Sequence, residues 1–292
     1  MFKQLGIKLR RLPPTAAALA FCAFAVMMGM NAGAAAPVSG TKTVDLTKTP
    51  IRGLAVSLKV TVYQDSASGE KRPLVVLIPK FGAQMSDAPY EQQAEYFVQL
   101  GYVVAIPHLT GLYNDGVKAP VYDARMDADL VAETAPFAVE VLAMVADLSA
   151  AQGPSTANHV IVGEGLGSII AARYAALGVP GCKGIILISA GFGPKRSRNS
   201  SFDDMRASED AFRQLGAKVS VSSLWVYAKE NKRVSESTAN DLFTAYKAGN
   251  AGARLVVLPQ IGMDGDALFS KAEPGTTWAE PVSAFLRSIE FH

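Results

Sequence analysis

A chain of 292 residues that is 49% hydrophobic, with 28 Lys and Arg against 26 Asp and Glu, is long enough for one large single-core α/β domain. That near balance of charge excludes the basic surface a nucleic-acid partner needs. No internal repeat or low-complexity tract is present.

The amino terminus has the three parts of an export signal. Lys3, Lys8, Arg10 and Arg11 precede an uncharged apolar run over residues 15–30, and the small residues Ala32, Gly33 and Ala34 follow. Residues 1–34 are therefore expected to be a signal peptide cut after Ala34, since a cut after Ala36 would set Pro37 beside the scissile bond. An uncleaved anchor helix is the alternative, because residues 15–36 are about long enough to span a bilayer. Leu12 and two prolines after Arg10 and Arg11 do not fit twin-arginine export. Cys22 follows Phe21, where a lipid-attachment signal wants a small residue, and it leaves with the signal. Cys182 then stands alone, which excludes an intramolecular disulfide. Removing the four amino-terminal cations leaves 24 basic against 26 acidic residues, and no later apolar run approaches about 18 residues. A periplasmic or secreted location follows, with no stable membrane span after cleavage.

Residues 35–50 are small, polar and aperiodic and are expected as a flexible leader into a single domain over residues 51–292. Residues 54–63 alternate apolar and polar, residues 74–78 (LVVLI) form a continuous apolar run, and residues 90–100 have helical spacing. A strand at 102–106, a long helix within 124–148, a strand at 159–162, a helix at 167–177 and a strand at 184–188 come next. Residues 193–201 (GPKRSRNSS) read as a solvated basic loop. A strand at 224–227, a helix at 236–248, a strand at 255–258 and a helix at 281–289, opened by Pro281, close the chain. Continuous apolar strands alternating with helices predict an α/β fold: one doubly wound, mostly parallel sheet with helices on both faces. Sites in such sheets lie beyond the carboxyl ends of the strands.

At one such end, residues 159–168 (HVIVGEGLGS) run from a strand through a glycine-rich turn into a helix. This resembles the nucleophile elbow G-x-S-x-G, whose turn lifts a serine above the sheet while the next backbone N–H helps to form an oxyanion hole. Here it reads Gly163-Glu164-Gly165-Leu166-Gly167, with Gly165 at the nucleophile position. A phosphate loop is the competing reading. It lacks the G-K-[ST] ending and an acidic residue about 20 positions on, so no nucleotide cofactor is expected.

Residues 54–286 resemble secreted dienelactone hydrolase-like α/β-hydrolases. Residues 224–231 (LWVYAKEN) match that family's W-x-Y-x-x-x-D segment, with Asn231 where an aspartate orients the catalytic histidine. Residues 262–269 (GMDGDALF) match G-x-D-G-H-x-L-F, with Asp266 in the histidine's place. Leu258, Pro259, Leu268, Phe269, Trp278, Pro281, Phe285 and Leu286 keep the surrounding pattern. Residues 72–82 (RPLVVLIPKFG) resemble the strand and loop that supply the second oxyanion donor, with Pro79-Lys80 for the usual His-Gly. Residues 101–116 resemble the next strand and its R-G-x-G-x-S loop, without the arginine. The resemblance implies the α/β-hydrolase fold, with Gly165, Asn231 and Asp266 at triad positions and Lys80, Phe81, Glu164, Leu166, His108 and Asp264 around the pocket and oxyanion region.

A relocated serine mechanism would need a base near a hydroxyl. His159 begins the elbow strand, about 20 Å from its far end, and His292 is terminal. His108 lies on the productive edge, where Ser168 or Ser189 would be its partner, but both serines read more simply as packing or capping residues. Cys182 precedes its strand, at the opposite edge. Glu164, Asp264 and Asp266, gathered with Lys80, would suit a divalent cation, yet no compact Asp-rich loop is present, and solvated carboxylates with a counter-charge are the simpler reading; no metal or cofactor is expected. The resulting expectation is a catalytically inactive hydrolase scaffold kept to bind a small molecule, peptide or protein partner. Its alternative is an ester or lactone hydrolase that uses non-standard residues.

Overall fold

The computed structural model describes residues 38–45, 57–65, 71–81, 90–111, 129–150, 154–192, 205–259, 261, 264–270 and 277–292. The expected signal peptide, its cleavage site and the basic loop at 193–201 lie outside them. Eight strands among the described residues form one sheet: β1 (Val38–Asp45), β2 (Ser57–Gln64), β3 (Pro73–Ile78), β4 (Val103–Pro107), β5 (Ser155–Glu164), β6 (Cys182–Ile188), β7 (Ser222–Ala228) and β8 (Ala253–Leu258). Their order is β1-β2-β4-β3-β5-β6-β7-β8. β2 pairs antiparallel with β1 and β4, and every other pairing is parallel.

Six helices among the described residues cover the sheet: α1 (Glu91–Gln99), α2 (Leu130–Ala150), α3 (Leu166–Ala175), α4 (Arg206–Gly216), α5 (Glu236–Lys247) and α6 (Ala279–Ser288). Side chains alternate along each strand, and β3 is buried on both faces from Leu74 to Ile78. Leu74, Val76 and Ile78 of β3 pack with residues of α2, α3, α4 and α5. Val75 and Leu77 pack on the other face with Phe97 of α1 and Phe285 of α6. This two-sided burial is why β3 reads as an uninterrupted apolar run, and the expected doubly wound sheet is present. No helix among the described residues is long and apolar enough to cross a membrane.

Two elements differ from expectation. Part of the segment expected as a flexible leader is strand β1, whose eight residues (VSGTKTVD) pair in continuous register with β2. Main-chain pairing needs no apolar period, so the segment carries no sequence signal for it. Helix α4 was not among the expected elements, although Ala207, Ala211, Phe212 and Leu215 are buried at helical spacing.

The sheet places the site through its switch in direction. β3 pairs with β4 on one side and with β5 on the other, so the chain winds outward both ways from β3 and β5. A crevice opens at their carboxyl ends. Lys80 follows β3, Glu164 ends β5 and Gly165 follows it. Beyond β8 a 3-10 turn, Gly265–Ala267, is anchored by the fully buried Leu268, Phe269 and Trp278. The Phe269 and Trp278 rings meet edge-on at 4.7 Å, and Gln93 of α1 donates its amide to the Phe269 carbonyl. Burying each such ring contributes about 1.5–3 kcal/mol, which fixes the turn that carries Asp266.

Candidate active site

Gly165 caps helix α3 with φ 56° and ψ −119°, a conformation that is strained for any residue with a side chain. Its N–H donates to the Ile188 carbonyl of β6 at 3.0 Å, and its own carbonyl accepts from Ser168. The flanking glycines have a steric reason. A Cβ on Gly163 would lie 2.2 Å from the Gly167 carbonyl oxygen, and one on Gly167 would lie 2.4 Å from that of Ile78. Strand and helix thus meet backbone to backbone, and the turn is held sharp. The first two amides of α3, those of Leu166 and Gly167, open at the crevice end of the sheet without a partner inside the helix, while the third, Ser168, is held by Gly165. A Cβ on Gly165 itself would stand 3.1 Å from Lys80 Cβ, so Lys80 lines the space above the elbow.

Lys80 is the hub of a charged mesh. Its ammonium donates to the Asp266 carbonyl at 2.8 Å and to Asp266 Oδ2 at 3.3 Å, and it lies 3.6 Å from Glu164 Oε1. Arg233 Nε reaches Asp266 Oδ2 at 3.3 Å. Glu164 is fully buried, and its Oε2 accepts a 2.6 Å hydrogen bond from Tyr90, whose hydroxyl in turn accepts from the Lys80 backbone N–H at 3.0 Å. Burial pushes the Glu164 carboxyl above the usual carboxylate range. Lys80, the Tyr90 hydrogen bond and, least, a hydrogen bond from the Ser270 backbone pull it back, while Asp266 adds to the rise. Oε1 is buried with no hydrogen bond of its own and faces Lys80 across the ion-pair distance.

The remaining expected residues divide. Leu166 is buried at the start of α3, and Phe81 meets Phe192 edge-on at 6.0 Å, giving the crevice an apolar wall beside Lys80. Asp264 turns away from the mesh: its Oδ1 accepts from the N–H groups of Lys232 and Asp266 and so caps the 3-10 turn. Asn231 closes the turn after β7, its Oδ1 accepting from the N–H groups of Arg233 and Val234. His108 is not brought to the elbow, because Nε2 pairs with Thr61 on β2 at 3.0 Å, on the far side of β4. Ser168 donates into the Gly163 and Ile188 carbonyls, and Ser189 bonds to Gly265 and Asn231; neither is bonded to His108. Glu164 and Asp266 share Lys80 while Asp264 faces backbone amides. Among the described residues no group of three His, Cys, Asp or Glu side chains is arranged to hold a metal ion.

Tyr90, Arg233 and Ser189 enter the site without having been expected there in these roles. Tyr90 opens a helix and Arg233 sits in a polar turn, so neither carries a local pattern. Ser189 has φ 45°, a property visible only in the backbone.

No family model matches the chain and no curated protein matches it. Solved structures do. A candidate dienelactone hydrolase from Klebsiella pneumoniae superposes with a TM-score of 0.57 at 14% identity, covering 87% of this chain and 100% of its own. A dienelactone hydrolase-like promiscuous phosphotriesterase from metagenomic libraries gives 0.58 at 14% identity, with 86% and 98% covered. Esterase B of Lactobacillus rhamnosus gives 0.59 at 12% identity, with 94% and 92% covered. The fold is therefore the α/β-hydrolase fold. That the structures sharing it are those of hydrolases and esterases overturns the expectation of an inactive scaffold kept for binding. The turn at Gly165 has a positive φ, and beside it stands an ordered set of ionisable groups.

Proposed function

We propose that this α/β-hydrolase-fold chain hydrolyses carboxylic esters, lactones included, with non-standard residues: water takes the place of a serine hydroxyl. Gly165, Asn231 and Asp266 are assigned to the positions that a serine, an aspartate and a histidine occupy in dienelactone hydrolase-like enzymes. The observation that carries the reading is the strained elbow at Gly165, with a carboxylate, Asp266, tethered to the lysine that lines it.

In this mechanism the ester carbonyl oxygen points at the first amides of α3, where a developing negative charge is stabilised by donors fixed before the reaction begins. Asp266 accepts a proton from water as the water oxygen forms its bond to the carbonyl carbon. As the intermediate collapses, the alkoxide leaves and takes that proton back from Asp266, yielding acid and alcohol. Lys80 and Arg233 hold the Asp266 carboxylate in place, and Lys80 adds positive charge beside the oxyanion. The wall of Phe81 and Phe192 favours an apolar acyl group.

The test is hydrolysis of p-nitrophenyl acetate and of a small lactone by the purified mature chain, beside an Asp266→Asn variant. Turnover by the native chain, lost in the variant, without labelling by a fluorophosphonate, supports the reading; no turnover in either, or labelling at a serine, sinks it. Export is part of the proposal. Lys3, Lys8, Arg10 and Arg11 ahead of the apolar run support a signal cut after Ala34, and an intact-mass measurement on the periplasmic fraction should find Ala35 as the first residue.

A further inference from the structure

Three loops meet beneath Asp266, after β6, after β7 and after β8, and one chain of hydrogen bonds joins them. Asn231 has its Oδ1 committed to two backbone N–H groups, those of Arg233 at 2.8 Å and Val234 at 2.9 Å. An N–H can only be answered by an acceptor, so the carboxamide is fixed with its nitrogen outward. That nitrogen donates to Ser189 Oγ at 3.4 Å, and Ser189 Oγ donates onward to the Gly265 carbonyl at 3.2 Å. Both side chains are buried. The order of donation is therefore set from one end: amide to hydroxyl to carbonyl.

Backbone geometry points the same way. Ser189 has φ 45° and Glu230 φ 59°, a region that residues with a side chain enter only when the surroundings impose it. Gly265 is pressed so close to the loop after β7 that a Cβ would lie 2.8 Å from the Ala228 carbonyl oxygen and 2.9 Å from the Asn231 nitrogen. Its N–H donates to Glu230 at 3.3 Å. Gly265 immediately precedes Asp266, and Arg233, whose backbone Asn231 holds, grips the Asp266 carboxylate.

We infer that Asn231 and Ser189 form a directional clasp that positions Asp266, so that the amide at 231 is required as a donor and is not a spent acid. This rests on the reading of Asp266 as the base. A carboxylate at 231 would still accept from the two backbone N–H groups, but its other oxygen has no hydrogen to give. The Ser189 hydroxyl would then turn toward it, and the Gly265 carbonyl would lose its side-chain donor. The geometry at Asp266 would loosen with no group removed from the mesh itself.

Two variants that add no bulk test this. Asn231→Asp reverses the clasp, and Ser189→Gly removes the hydroxyl while also relieving the strained φ. Both should melt cooperatively, Ser189→Gly no earlier than about the native temperature because glycine suits that backbone. Both should nevertheless lose about 10- to 100-fold in kcat on p-nitrophenyl acetate with KM little changed, as expected when a reacting group is misplaced. In both, backbone amides of residues 264–270 should exchange hydrogen faster than in the native chain. A residue that served only the fold would give the opposite pairing, with stability and turnover moving together. Exchange needs no turnover: if it rises as stated while the native chain hydrolyses no ester, the clasp stands and the proposed activity falls. Unchanged exchange in both variants overturns the clasp whatever the activity, and so does unchanged kcat in an active enzyme.

Discussion

Strand β5 ends in a buried polar side chain at its carboxyl edge and carries another near its amino edge, and the fold treats them in opposite ways. His159 has both ring nitrogens engaged: Nδ1–H donates to the Thr156 carbonyl at 2.6 Å, and Nε2 accepts from the Tyr174 hydroxyl at 2.9 Å. One neutral tautomer satisfies every atom, and the surroundings are equally inert. Burial pushes the neighbouring Tyr174 phenol upward and the Cys182 thiol to about 12, which keeps the thiol protonated and unreactive. Glu164, five residues on, has one oxygen bonded to Tyr90 and the other facing a lysine without a hydrogen bond. It adjoins the strained turn at Gly165 and a mesh of charges. At one end every polar atom is answered; at the other, a buried carboxylate oxygen meets only a lysine beside backbone strain, the kind of place where the proposed chemistry would sit.

If that contrast is right, variants at the two edges must separate activity from stability. The largest effect is expected at Asp266→Asn. Removing a general base costs about 10²- to 10⁴-fold in rate, or roughly 3–5 kcal/mol of transition-state stabilisation, with the melting transition nearly unmoved. Steady-state ester hydrolysis beside a thermal melt checks it, and a variant with native kcat would erase the distinction between the edges.

Gly167→Ala ranks next and acts on folding, since the new methyl would sit 2.4 Å from the Ile78 carbonyl oxygen and 2.8 Å from that of Pro79. Backbone atoms cannot step aside as a flexible side chain can, so a loss of about 3 kcal/mol is expected. Urea unfolding measures it; a loss below about 1 kcal/mol would mean that strand and helix are not packed at this distance.

At the opposite edge Tyr174→Phe leaves His159 Nε2 buried without its donor. A cost of about 1–3 kcal/mol is expected, with ester turnover within about twofold of native once the protein is folded. Strong loss of kcat there would show that the amino edge feeds the site after all.

The same contrast decides what could be read from sequence. Apolar runs such as residues 74–78 and 184–188 announce a two-sided buried sheet because burial itself dictates their composition. The sharp turn after β5 was legible because close packing admits only glycine at 163 and 167, and the segment around Asp266 because Leu268, Phe269 and Trp278 belong to the core. What escaped has no local cause. Tyr90 reaches Glu164 across 74 positions, and Arg233 meets Asp266 from another loop; such contacts come from topology. β1 is written in main-chain pairing, and the strain at Ser189 in a dihedral angle. Asn231 was legible as a position but not as a donor, since the direction of a hydrogen bond depends on what its other atoms already hold.

The smallest expected effect is also the sharpest, because the two edges should respond to pH with opposite sign. Burial raises the Glu164 carboxyl above its ordinary 4.5, so at intermediate pH the folded chain keeps a proton that the unfolded chain has released. Its contribution is fully present below pH 4.5 and is lost as pH rises through the folded value. For His159, burial lowers the imidazole below its ordinary 6.5, so the unfolded chain takes up a proton first on acidification. That contribution is present above pH 6.5 and is lost as pH falls through the folded value. Melting temperatures of the native chain, Glu164→Gln and His159→Gln from pH 4 to pH 8 separate the two. The gain of Glu164→Gln over native should grow as pH rises, since the variant never has to bury a charge. The deficit of His159→Gln should shrink as pH falls below 6.5, where the native imidazole begins to oppose folding. Parallel curves for both variants would mean that neither group changes its proton affinity on folding, and the contrast between the two ends of β5 would then be one of hydrogen bonding alone.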